Sequence, residues 1–143
     1  MHKVAILHDR IGGKAGGGGG VRELRELAHG LRDLGHEPLV LCHDLSRSSD
    51  FETSLEGVEV RAVREVAEGE GGGRLELARR YLREMPALAE LVPDDVTVVH
   101  AQGWPALRAG RIAASRTGVP FVWTTVTSII GNRRSRAEVE LVK

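Results

Sequence analysis

A chain of 143 residues is long enough for one domain with a real core, since a domain of about 150 residues buries roughly 70% of its unfolded surface. Hydrophobic residues make up 41% and charged residues 28%, ordinary for a globular protein, and Lys plus Arg equal Asp plus Glu at 20 each, so no net field points to nucleic acid or an anionic membrane. A single cysteine, Cys42, excludes an internal disulfide and a cysteine metal cluster; no run reaches the roughly 20 apolar residues of a membrane span, and none matches a signal peptide, so the expected location is the cytoplasm.

KVAIL (3–7) is a short apolar run followed by polar His8 and Asp9, and it reads as a strand buried on both faces. Residues 12–20 are glycine except for Lys14 and Ala15. Val21, Leu24, Leu27, Ala28, Leu31 and Leu34 then recur at helical spacing, and Gly35 suits the left-handed position that ends a helix. LVLC (39–42) is a second strand, with Pro38 at its entrance and Cys42 as a buried, inert thiol. VEVRAV (58–63) alternates and predicts a third strand near the sheet edge. GEGGG (69–73) is a loop. Residues 75–92 predict one amphipathic helix with Leu75, Ala78, Leu82, Met85 and Leu88 along one face and a kink at Pro86. VTVVH (96–100) is a fourth strand. Pro105 suits the first turn of the next helix, Gly118 its end, and FVWTT (121–125) is a fifth strand.

Strands alternating with helices imply an α/β fold: a Rossmann-like parallel sheet with helices on both faces, as a single domain over 1–143. Ligands of such sheets bind beyond the carboxyl ends of the strands, where the strand order reverses. With the order 3-2-1-4-5 the reversal lies between the first and fourth strands. Segments 8–20 and 100–104 then flank the crevice.

Glycines between a strand and a helix N-terminus make a ready anion site, because free N–H groups point outward and no side chain obstructs a phosphate. The dinucleotide fingerprint fails, since a start at Gly16 ends on Val21. The Walker pattern fails because Ala15 follows Gly13-Lys14. A ligand-free mobile loop is the alternative. In HAQGWPA (100–106), His100, Gln102 and Trp104 leave the fourth strand together. Each can be explained by packing: His100 as a satisfied core histidine and Trp104 as an anchor. Gathered at the crevice, they also make a sugar-binding surface, on which rings stack and polar tips discriminate hydroxyls.

VAILHDRIGG, then GGGGGVRELRELAHGLRDLGHE, then DDVTVVHAQGWPALRAGRIAASRTGVPFVWTT together resemble the N-terminal half of family 4-type retaining GT-B glycosyltransferases. That group includes glycogen synthases, sucrose-forming enzymes and the mycothiol-pathway glycosyltransferase. The shared features are the glycine-rich first turn, the helix ending in LGHE, the VVHA-x-x-W strand and loop, and GVPFV entering the fifth strand. The resemblance implies an acceptor-side domain facing a donor-binding one across a cleft. By resemblance Gly17, Gly18, Gly19 and Gly20 approach the donor diphosphate, while His8, Asp9, His100 and Trp104 line the acceptor side. TSIIGNRR (127–134) resembles the acceptor loop of the sucrose and mycothiol enzymes, which adds Thr127, Asn132 and Arg133; a solvated face of Arg133, Arg134 and Arg136 is the alternative. The implied partners are a nucleotide-diphosphate sugar as co-substrate and a small-molecule or glycan acceptor, with no metal and no other cofactor.

The sequence departs from that pattern in two places. The family carries a histidine near the reacting sugar just after the fifth strand, and Val126 stands there, so no catalytic residue is assigned; Thr125, Thr127 and Ser128 are its polar neighbours. The sequence also ends at Lys143 with the donor-binding domain absent, so a truncated domain without transferase activity of its own is expected. The alternatives are a non-catalytic glycan- or partner-binding module, self-associating through exposed apolar surface, and a phosphate-binding α/β protein unrelated to sugar transfer.

Overall fold

The computed structural model describes residues 1–12, 19–46, 55–66, 79 and 82–125. Along the chain run β1 (Lys3–Ile11), α1 (Gly19–Asp33), β2 (Glu37–Leu45), β3 (Glu59–Glu65), α2 (Met85–Glu90), β4 (Val98–Gln102), α3 (Gly103–Thr117) and β5 (Phe121–Thr124). The five strands form one sheet in the order β3-β2-β1-β4-β5, parallel at every pairing. This is the expected order, with β3 at an edge.

Alternation along the strands sorts their side chains into two cores. Ala5, Leu7, Leu39, Leu41, Val99 and Ala101 face α2 and α3, where Met85, Leu88, Ala106, Ala109 and Ala113 meet them. Val4, Ile6, Val40 and Cys42 face the other way, against Leu24 and Ala28 of α1. Cys42 is fully buried, as its apolar run predicts. Because α3 presents small residues to the sheet, it packs close: a Cβ on Gly110 would lie 2.6 Å from the Phe121 ring and 2.8 Å from the Ala101 methyl. Gly118 ends that helix in the left-handed region (φ 71), and its N–H donates to the Ala114 carbonyl at 2.8 Å.

Several boundaries differ from the sequence expectation. β1 and β2 run on past their apolar cores, because His8, Arg10 and Ile11 stay in register with Cys42, Asp44 and Leu45. β4 starts at Val98; Val96 is buried just before it. Leu34 does not join the apolar face of α1. It lies past the last helical residue and is 75% exposed, next to Gly35 at φ 81. The helix expected over 75–92 is interrupted: residues 82–83 are helical, Glu84 is a turn, and α2 starts at Met85. Pro86 therefore sits in the first turn of a helix, where its missing N–H does least harm. Leu82, on the far side of the break, is exposed and does not share the face of Met85 and Leu88. Leu75, Ala78 and the 69–73 loop lie outside the described residues.

Candidate functional site

The strand order reverses between β1 and β4, so the crevice expected of this topology opens at their carboxyl ends. The pairs Val4–Val98 to Leu7–Ala101 set the register, and one further step brings His8 level with Gln102. Gln102 is in turn level with Thr124 of β5, and His8 with Cys42 of β2. Residues in one row of a parallel sheet share a face, so His8, Gln102 and Thr124 point to the α1 side. His100, two residues before Gln102, shares that side, and its Nε2 lies 2.9 Å from the Thr124 hydroxyl. Burial pushes the His100 imidazole below its ordinary value of 6.5, so the ring is neutral at pH 7.

His8 is oriented by its own strand end. Its Nδ1 accepts the Arg10 backbone N–H at 3.3 Å and lies 3.3 Å from Asp9 Oδ1. Gln102 ends β4 and caps α3 with extended backbone (φ −101, ψ 128), yet its side chain makes no capping bond. It is 7% exposed, and its Oε1 has no hydrogen-bond partner. Trp104, in the first turn of α3, packs half-buried against the core on the α2 and α3 side. Trp123, which was not singled out from the sequence, pins the corner between β4 and α3 by donating Nε1–H to the Gly103 carbonyl at 3.1 Å.

On the other lip, Gly12 leaves β1 with φ 86, and Gly19 and Gly20 form the start of α1, whose first turn carries no acidic residue. Gly17, Gly18, Val126, Thr127, Asn132 and Arg133 lie outside the described residues. The structure thus brings His8 and His100 to one face with Gln102 and Thr124, while Trp104 packs on the opposite side of the sheet.

A second polar group at the same edge was not read from the sequence. His43 and Asp44, both buried, place Nδ1 and Oδ1 2.6 Å apart; His43 Nε2 lies 3.2 Å from Glu84 Oε2, and Arg64 donates Nε–H to Asp44 at 2.8 Å. These residues tie the ends of β2 and β3 to the start of α2. Among the described residues no group of three or more His, Cys, Asp or Glu could hold a metal ion, and no helix is long and apolar enough to cross a membrane.

The family described as glycosyl transferase 4-like domain matches residues 18–141. Among solved structures, the chain is similar to the C-terminal domain of a hydrogenase from Pyrococcus furiosus (TM-score 0.54, 15% identity, covering 85% of this chain and 89% of that one). It is also similar to MurG from Acinetobacter baumannii (TM-score 0.51, 14% identity), where 99% of this chain spans 38% of the other. At these identities the two likenesses concern the fold. No curated protein matches the sequence.

Proposed function

This chain belongs to the glycosyl transferase 4-like domain family, and on that premise we propose that it is the acceptor-side, N-terminal domain of a GT-B enzyme that moves a sugar from a nucleotide-diphosphate sugar to an acceptor hydroxyl. The observation that carries this reading is the crevice at the strand-order reversal, with the glycine start of α1 on one lip and His100, Gln102 and Thr124 on the other. The positive end of the 15-residue α1, which begins on two glycines, suits a diphosphate that gains charge as it leaves. Donors set in place before the reaction stabilise such charge without reorganisation. Gly17 to Gly20 would approach that leaving group, while His8 and His100 would face the acceptor. Asp9, Thr127, Asn132 and Arg133 are proposed for the acceptor side on the family resemblance alone; Trp104, packed against the core on the other side of the sheet, is not. In this reading residues 1–143 are one domain, a second domain holds the donor, and the sugar nucleotide serves as co-substrate without a metal.

Amide NMR spectra of the ¹⁵N-labelled chain test the proposal. Titration with UDP, ADP or GDP should shift amides within residues 12–20, and simple glycosides should shift residues 100–104 and 124. A chain whose crevice amides respond to neither class is not this half of a glycosyltransferase.

A further inference from the structure

Among the described residues of the crevice, Gln102 has a buried amide oxygen that accepts no hydrogen bond. Native proteins pair nearly all buried polar atoms, and an unpaired one in a site signals a partner still to come. Gln102 Oε1 is shielded and accepts no hydrogen bond, although the residue is 7% exposed and sits on the row between His8 and Thr124. It does not serve the helix that it caps. The N–H that a cap commonly engages at the third helical position is missing, because Pro105 occupies that place. Neither the cap nor a hydrogen bond to its oxygen fixes the amide, and a half-turn of its terminal torsion exchanges oxygen and nitrogen. The surroundings limit what can complete it. On the β4 and β5 side of this face the neighbours of the amide are a threonine hydroxyl and a histidine held neutral by burial, while the charged Arg10 lies two residues beyond His8 on β1; α1 packs over β1 and β2, and Val122 of β5 remains 43% exposed. Immediately around Gln102 the groups are uncharged and can both donate and accept, which matches a ring bearing several hydroxyls.

We propose that Gln102 is a specificity-determining residue of the crevice: its amide oxygen turns outward and accepts a hydrogen bond from one hydroxyl of an uncharged polyhydroxylated acceptor lying over His8, His100 and Thr124. The inference rests on the acceptor-side reading above. A site built around such a bond rejects the analogue that lacks the hydroxyl, because the amide is again left unpaired.

The test pairs a residue change with a ligand change. The probes are the methyl glycosides of glucose, galactose and mannose with their monodeoxy analogues, and binding is followed by NMR titration of the wild-type chain and of Gln102→Met. In the wild type, one monodeoxy analogue should bind about tenfold more weakly than its parent. In Gln102→Met the parent should weaken by a similar factor and the gap between parent and analogue should close, with the thermal midpoint unchanged or raised because an unpaired buried amide is gone. Gln102→Leu gives the same readout should the methionine disturb the fold. If glycosides bind and shift the His8, His100 and Thr124 resonances but the gap persists in both variants, the role of Gln102 is overturned and the acceptor site stands. If no glycoside shifts those resonances in the wild type, the acceptor reading falls, and the inference with it.

Discussion

At the scale of single residues, His100 carries a testable sign. Burial lowers its pKa from the ordinary 6.5. A base of this kind is less protonated folded than unfolded, so its contribution to stability is complete above the unfolded value and is lost as pH falls from there through the folded one. The contact with Thr124 survives protonation, because a hydroxyl can accept from Nε2–H as well as donate to a bare nitrogen. Desolvation of the charged ring therefore sets the direction. We expect the His100 ring resonances to titrate below 6.5, and the fall in thermal midpoint between about pH 7 and about pH 5 to be smaller in His100→Gln than in the wild type. A ring that titrates above 6.5 contradicts this account. His100 could be picked out from the sequence because it ends an apolar run. Thr124 could not, because what makes it matter is a partner 24 positions earlier, brought close by the β4–β5 register.

At the scale of elements, close packing and one buried polar cluster decide how the crevice is held. The approach of α3 to β4 and β5 depends on Gly110, since an added Cβ would meet Phe121 at 2.6 Å and Ala101 at 2.8 Å. Alanine favours a helix over glycine by about 1 kcal/mol, but overpacking costs roughly 1–3 kcal/mol. Gly110→Ala should therefore lower the thermal midpoint by a few degrees in circular-dichroism melting; an unchanged midpoint would show that α3 can move away at no cost. Asp44 holds β2 to β3 through Arg64 and orients His43 toward Glu84 at the start of α2. Removing one member of a buried ion pair costs about 3–5 kcal/mol. Arg64 is half-exposed and can turn to water, so urea denaturation of Asp44→Ala should show a loss near about 3 kcal/mol, the lower end of that range. The element pattern was legible where hydrophobic period and turn residues agreed, as in α1, β4 and α3 with its terminal Gly118. It was not legible at His43 and Asp44, because polar residues after an apolar run look like a strand end. Only the partners from β3 and α2 keep them buried and in register. Leu34 and Leu82 fit the helical period yet lie exposed, one beyond a helix end and the other before a turn, and period alone does not reveal where a helix stops.

At the scale of the whole molecule, strand order alone located the candidate site before any side chain did. Alternating strands and helices implied a parallel sheet, and the order β3-β2-β1-β4-β5, supposed from the sequence and found in the structure, puts the reversal beside Gly12 and the HAQGW turn. Which lip each side chain serves depended on register and on core packing, and Trp104 was placed on the far side of the sheet by the core it joins. On the acceptor-side reading proposed above, the same topology bears on what these residues do alone. In that reading one Rossmann-like sheet supplies one wall of a crevice and a second domain the other. Holding two reactants in line accounts for about 7–11 kcal/mol of a barrier, a gain that needs both walls. We therefore expect the 143-residue chain, mixed with a panel of sugar nucleotides and simple glycosides, to bind without forming glycosidic product on a scale detectable by radiolabel transfer. Covalent fusion to a donor-binding GT-B domain should restore transfer, and Gln102→Met in that fusion should lower kcat/KM for the preferred acceptor while leaving donor affinity unchanged. Robust transfer by the chain alone would mean that the wall described here carries its own donor site, and the division of labour proposed for it would have to be abandoned.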